Sequence, residues 1–224
     1  MTKKTKYLVI IGDIVSSRAV EDRKALQETL LQAINAVGSI QHPEPDPPAN
    51  QIISPYTVTL GDEFQAVYGA ADTIFRDALY ILEKVYPLKV RFSFGIGSIA
   101  TSINHDQAIG MDGKAFYNAR DGINWIKNEG EEYIFHISGL EDPFSHDLSN
   151  NTLHLISNLI SDWNLNRIKV LRLRLNGLKV KEIHKKINIS KTAVYKNIHA
   201  GYIKEIINSF SVITRTINHS LGES

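Results

Sequence analysis

Two groups of residues in this chain have the type and spacing to do chemistry: the carboxylates Asp13, Asp62 and Glu63, and a cationic, polar run between Lys185 and His199. Asp13 ends a β-branched run, Tyr7 to Ile14, that reads as a buried strand. Asp62 and Glu63 lie between the apolar runs Ile52 to Leu60 and Phe64 to Tyr68, a spacing that suits the tip of a hairpin. If the first strand is central and the hairpin holds its neighbour, the two carboxylate sites converge at one sheet edge. Hard divalent cations take oxygen ligands, so a converging set of this kind is expected to hold Mg²⁺ or Mn²⁺ against phosphate oxygens. Turn chemistry at Asp62 and capping by Asp13 explain the same residues, and spacing alone does not choose between the readings.

The second group has a different logic. Ser190 is a good N-cap for a helix running to His199, with Val194 and Ile198 facing in and Lys191, Thr192, Tyr195, Lys196 and Asn197 facing out. Lys185 and Lys186 stand just before it. Cations suit phosphates, and short polar or amide side chains suit base edges. Lys185, Lys186, Ser190, Lys191, Thr192, Tyr195, Lys196, Asn197 and His199 are therefore candidate contacts to double-stranded DNA. A solvated basic face on a helical bundle is the plainer alternative. Charge distribution favours DNA: residues 1–150 hold 13 Lys and Arg against 20 Asp and Glu, whereas residues 151–224 hold 12 against 4. A basic module behind an acidic one points to a polyanionic partner for the first alone.

The elements that must position these groups follow from periodicity. After the first strand, Ala19 to Val37 has helical spacing, Gly38 to Asn50 holds four prolines and reads as a loop, and the hairpin follows. A helix over Ala70 to Val85, a strand over Leu88 to Ile99, a helix over Lys114 to Lys127 and a strand over Glu132 to Ile137 complete the first half. The order βαββαβ with an added αβ suggests a mixed sheet with helices on one face. Helices are expected over Leu153 to Trp163, Ile168 to Leu175 and Val180 to Ile187, then the capped helix. Ile203, Ile206, Phe210, Ile213 and Ile217 form a stripe of about two heptads, which either makes a homodimer or packs on the chain's own helices. The expected organisation is a 1–140 α/β domain, a 141–151 linker and a 152–224 helical domain, with the segment Gly139 to Asn151 as a hinge.

Of the 224 residues 43% are hydrophobic and 22% charged, with a net charge of +1 and no cysteine. Disorder and a disulfide scaffold are excluded, and no run approaches the ~20 apolar residues of a membrane span. A cytoplasmic protein without a membrane partner is expected.

The strings GDIVSSR (Gly12 to Arg18), TLGDEFQAVYG (Thr59 to Gly69), RFSFGIGSI (Arg91 to Ile99) and AIGMDGKAFYNAR (Ala108 to Arg120) resemble the SatD family of bacterial proteins over roughly residues 6 to 137. In order and chemistry they are also similar to the palm-type catalytic domain of class III nucleotidyl cyclases and diguanylate cyclases. That resemblance implies an α+β, ferredoxin-like or palm fold, with Asp13 and Asp62 as metal ligands and Glu63 beside them. It implies a nucleotide held by backbone NH groups of Ile14 to Ser17, making Ser16, Ser17 and Arg18 binding residues, with Arg120 steadying the transition state. Val58 stands where ATP-using cyclases carry a base-reading Lys, Phe116 stands where an Asn is usual, and Leu60 replaces the first Gly of the diguanylate pattern. The string VKEIHKKINISKTAVYKNI resembles the helix-turn-helix of sigma-region-four and related regulator families, with Asn188 at the turn in place of glycine. The combined expectation is a DNA-binding transcriptional regulator whose palm-like domain senses a nucleotide and a divalent metal. The alternative is a metal-dependent nucleotidyltransferase or cyclase-like enzyme with a DNA-binding tail.

Overall fold

The computed structural model describes residues 5–37, 51–130 and 133–222. Five strands form a mixed sheet: β1 (Tyr7–Ile14), β2 (Ile52–Leu60), β3 (Glu63–Tyr68), β4 (Val90–Gly97) and β5 (Phe135–Ser138), in the order β2-β3-β1-β4-β5. All neighbours are antiparallel except β4 and β5. Among the described residues the helices are α1 (Arg23–Val37), α2 (Ile74–Val85), α3 (Lys114–Glu129), α4 (Pro143–Ser161), α5 (Leu165–Leu175), α6 (Val180–Lys186), α7 (Lys191–Ala200) and α8 (Ile203–Leu221). None is long and apolar enough to cross a membrane. The proline-rich segment expected as a loop lies outside the described residues.

The first strand is central, as the alternation of elements implies, and it is apolar on both sides because both sides are covered. Leu8, Ile10 and Ile14 face α1 and α2, while Val9 and Ile11 face α3. Helices on one face alone is therefore corrected: α3 occupies the opposite face. Two glycines of β4 admit it. A Cβ at Gly95 would fall 2.2 Å from the Ala119 nitrogen, and one at Gly97 would fall 2.7 Å from the Ala115 nitrogen.

The helical half does not hang from a linker. Pro143 sits at the first turn of α4 and Asp142 caps it, its carboxylate accepting the Ser145 N–H at 2.8 Å. Asn150 then takes over the backbone of β5, donating to Ile137 O at 2.9 Å and accepting from Ile137 N at 2.8 Å. Most of the expected hinge is thus a helix fastened to the sheet. Two imidazoles add to this joint. His136 of β5 and His154 of α4 meet nitrogen to nitrogen at 3.4 Å, nearly coplanar, and both rings lie against the Trp125 indole of α3.

The α8 stripe is absorbed within the chain. Ile203, Ile206, Phe210, Ile213 and Ile217 are all buried, and Phe210 stacks on Phe75 of α2 with centroids 4.0 Å apart. Of the two alternatives for this stripe, a homodimer through Ile203 to Ile217 or packing within the chain, the structure shows the second, since those side chains fill the space over β4 and β5. Arg172 Nε of α5 also donates to Glu83 of α2 at 2.6 Å. One apolar cluster runs from β1 through α2 to α8, so the expected 1–140 and 152–224 domains share a core.

Candidate functional site

Strand alternation decides which groups meet at the sheet edge. Asp13 of β1 lies opposite Glu63 of β3 on one side and Arg91 of β4 on the other. Asp13 shares the side of its strand with Val9 and Ile11, which face α3, and the carboxylate accordingly meets a residue of that helix. Its Oδ1 is 2.9 Å from Lys127 Nζ, and its Oδ2 accepts from Arg91 Nη1 at 3.4 Å. Glu63 takes the Arg120 guanidinium in a two-pronged grip, with one bond of 2.8 Å to Nη2, and also accepts from Thr59 Oγ1 at 3.1 Å. Arg120 and Lys127 stand seven residues apart, two helical turns, and so share one face of α3.

The electrostatics follow from this packing. Burial acts to raise the Glu63 carboxyl, but hydrogen bonds and charge from Arg120, the Thr59 hydroxyl and the charge of Lys127 outweigh it and hold the group below its usual range. The same grip raises the Arg120 guanidinium further. Two carboxylates thus face three cations within one cluster. Asp62 is not in that cluster; its carboxylate accepts from the Ser17 hydroxyl beside α1. Ser17 begins a short 3-10 turn, Ser17–Ala19, and Ser16 before it has a left-handed backbone, φ 56°. The Arg18 side chain lies outside the described residues.

The donor set is a poor fit for Mg²⁺ or Mn²⁺ in this arrangement. A divalent ion at Asp13 would sit against Lys127 and Arg91 and would have to displace them from the carboxylate, while Glu63 is already filled by Arg120. Among the described residues no three His, Cys, Asp or Glu groups gather as ligands. Arg91 and Lys127 were missed in the sequence. Alternation along β4 and the two-turn spacing from Arg120 are the signals that would have found them.

The second site is built by α6 and α7. Ile183, Val194 and Ile198 are buried between these helices and their neighbours, which turns the other faces outward. Ser190 caps α7, its hydroxyl accepting the Ala193 N–H at 3.0 Å, and Asn188 takes the left-handed turn conformation, φ 53°. Lys185, Lys186, Ser190, Lys191, Thr192, Tyr195, Lys196 and His199 are exposed together. None of the four lysines enters an ion pair among the described residues. Asn197 is the exception to the expected outward set. It sits three residues beyond buried Val194, on the inner flank of α7, where it donates to Ala193 O at 2.9 Å and accepts from Arg167 Nε at 3.4 Å.

A protein-family model described as the SatD family matches residues 7–215, spanning both the sheet and the helices packed on it. No curated protein matches the chain.

Proposed function

The chain belongs to the SatD family, and from that premise we propose that it is a DNA-binding transcriptional regulator. α6 and α7 act as a helix-turn-helix, with α7 as the helix that enters the major groove. The observation that carries this reading is the outer face of α6 and α7, where four lysines with no ion pair among the described residues surround Thr192 and Tyr195. A cation kept in water without a partner contributes little to a fold, but on a phosphate backbone it releases a counterion and contributes directly to affinity. Lys185, Lys186, Lys191 and Lys196 then hold phosphates, and Thr192, Tyr195 and His199 approach base edges. Asn197 supports α7 from within and does not read sequence.

The palm-like half serves as the sensor in this reading, and its ligand is anionic. Arg120 and Lys127 are the outer cations of the sheet-edge cluster, their side chains 44% and 37% exposed, while Asp13, Glu63 and Arg91 are nearly covered. A nucleotide's phosphates would engage those two cations, with Ser16 and Ser17 at the neighbouring turn. Nucleotidyl transfer is the less supported reading, because Asp13 and Glu63, the carboxylates that such a reaction would need for its metal, are already paired with Lys127 and Arg120.

The test is binding to mixed-sequence duplex DNA by anisotropy. Lys191→Ala and Lys196→Ala should each weaken binding severalfold on every sequence, whereas Thr192→Ala should alter which sequence is preferred. A double Lys191→Ala, Lys196→Ala variant that binds as tightly as the unaltered chain would end the proposal.

A further inference from the structure

α4 is buried on one side against β5 and α8, and its other side carries almost no charge. Across Pro143–Ser161 the only charged residue is Asp147, whereas a solvated helix face ordinarily carries several. Phe144, Leu148 and Leu155 on that side are 74%, 56% and 68% exposed. The exposed positions 144, 148, 151, 155 and 158 alternate in steps of four and three, the spacing that keeps side chains on one seam facing another helix. Beside the seam runs a groove between α4 and α8, walled by Leu155, Leu159 and Tyr202, floored by Ile156 and Ile206, and lined also by Glu205 and Ser209.

We infer that this face pairs with the same face of a second copy, α4 against α4 in antiparallel orientation about a two-fold axis. The inference goes beyond the DNA-binding proposal and does not depend on it. Phe144, Leu148, Leu155, Leu159 and Tyr202 together expose on the order of 600 Å², the upper end of what the largest apolar patch of a monomer spans. With Asn151, Thr152 and Asn158 added, the patch approaches the ~800 Å² per partner of a stable interface. Charge sets the orientation. Asp147 is the one formal charge within α4, so a parallel pair would set the two Asp147 carboxylates side by side, whereas an antiparallel pair separates them and opposes the helix dipoles. Asn151 and Asn158 are the polar seam positions that fix register. A lipid surface is a poor occupant because the face has no Lys or Arg to meet anionic headgroups.

The experiment uses the full chain at about 50 µM, well above a micromolar Kd, with molar mass read by light scattering. The expected mass is twice that of one chain, and Leu148→Glu with Leu155→Glu should halve it while leaving the far-ultraviolet circular dichroism of the folded chain unchanged, since within a single chain both side chains face water. Because the chain has no cysteine, Asn151→Cys at the centre of the seam should give a disulfide-linked dimer on oxidation. Phe144→Cys at its end should not. A single-chain mass for the unaltered protein, or a doubled mass that survives both glutamates, overturns the pairing. Cross-linking through Phe144→Cys overturns the antiparallel arrangement.

Discussion

Phe210→Ala probes the joint between the sheet and the C-terminal helices. Phe210 is 1% exposed, lies flat on Phe75 at 4.0 Å and 9° between planes, and meets Phe135 edge-on at 5.9 Å. Truncating a buried Phe to Ala costs about 3–5 kcal/mol, of which lost ring pairing accounts for roughly 0.5–1.5. Because the ring contacts α2 and β5 at once, the cost falls on the whole unit and not on the helices alone. For a chain of this size the expected drop in Tm is about 6–20 °C, taking roughly 2–4 °C per kcal/mol. Calorimetry and near-ultraviolet circular dichroism should show one transition in the unaltered chain and one, lowered, in the variant. Two transitions with only one of them moved would refute the shared core.

Two titrations of opposite sign are expected in the same pH window. Burial, aided by the charges of His154 and His146, lowers His136 to about 4, so the fold resists its protonation; stability is full above about 6.5 and is lost toward pH 4, by up to roughly 3 kcal/mol. Burial raises Asp77 to about 6 against hydrogen bonds from Thr73 and Tyr68, so its contribution grows as pH falls from about 6 to 3.8, by a similar amount. Urea titrations at pH 7 and 4.5 should therefore show His136→Gln gaining relative stability in acid and Asp77→Asn losing it, and identical pH slopes in both variants would contradict the assignment. Gly95→Ala should cost about 3 kcal/mol or more, because the new Cβ meets the backbone of α3 and not a movable side chain. An unchanged urea midpoint would mean that α3 does not approach β4 this closely.

The legible parts of the fold were those whose signals are local. The β-branched run of β1, the Gly61-Asp62 hairpin tip and the Ser190 cap announce themselves within a few residues. Only the first half of α4 was hidden, and for a chemical reason: its buried positions are Ser149 and Asn150, and Asn150 bonds to the backbone of Ile137, so residues 143–151 read as polar and aperiodic, whereas the half from Leu153 shows its apolar face. The α8 stripe gave the buried face but not what buries it, since a period defines a direction and not a partner. At the sheet edge the carboxylates were visible and their neutralising cations were not, because Lys127 reaches Asp13 from an element more than 100 residues away in sequence. Asn197 was misplaced by one step around α7, a difference of about 100° that separates the exposed face from the half-buried flank beside Arg167 of α5.

The central claim, that the lysine face of α6 and α7 meets a phosphate backbone, is tested most directly by the salt dependence of duplex binding. Four lysine contacts per chain give an expected slope of log affinity against log salt of about −3.6, and Lys191→Ala should make it shallower by about 0.9. A slope near zero, or one that Lys191→Ala leaves unchanged, would contradict the claim.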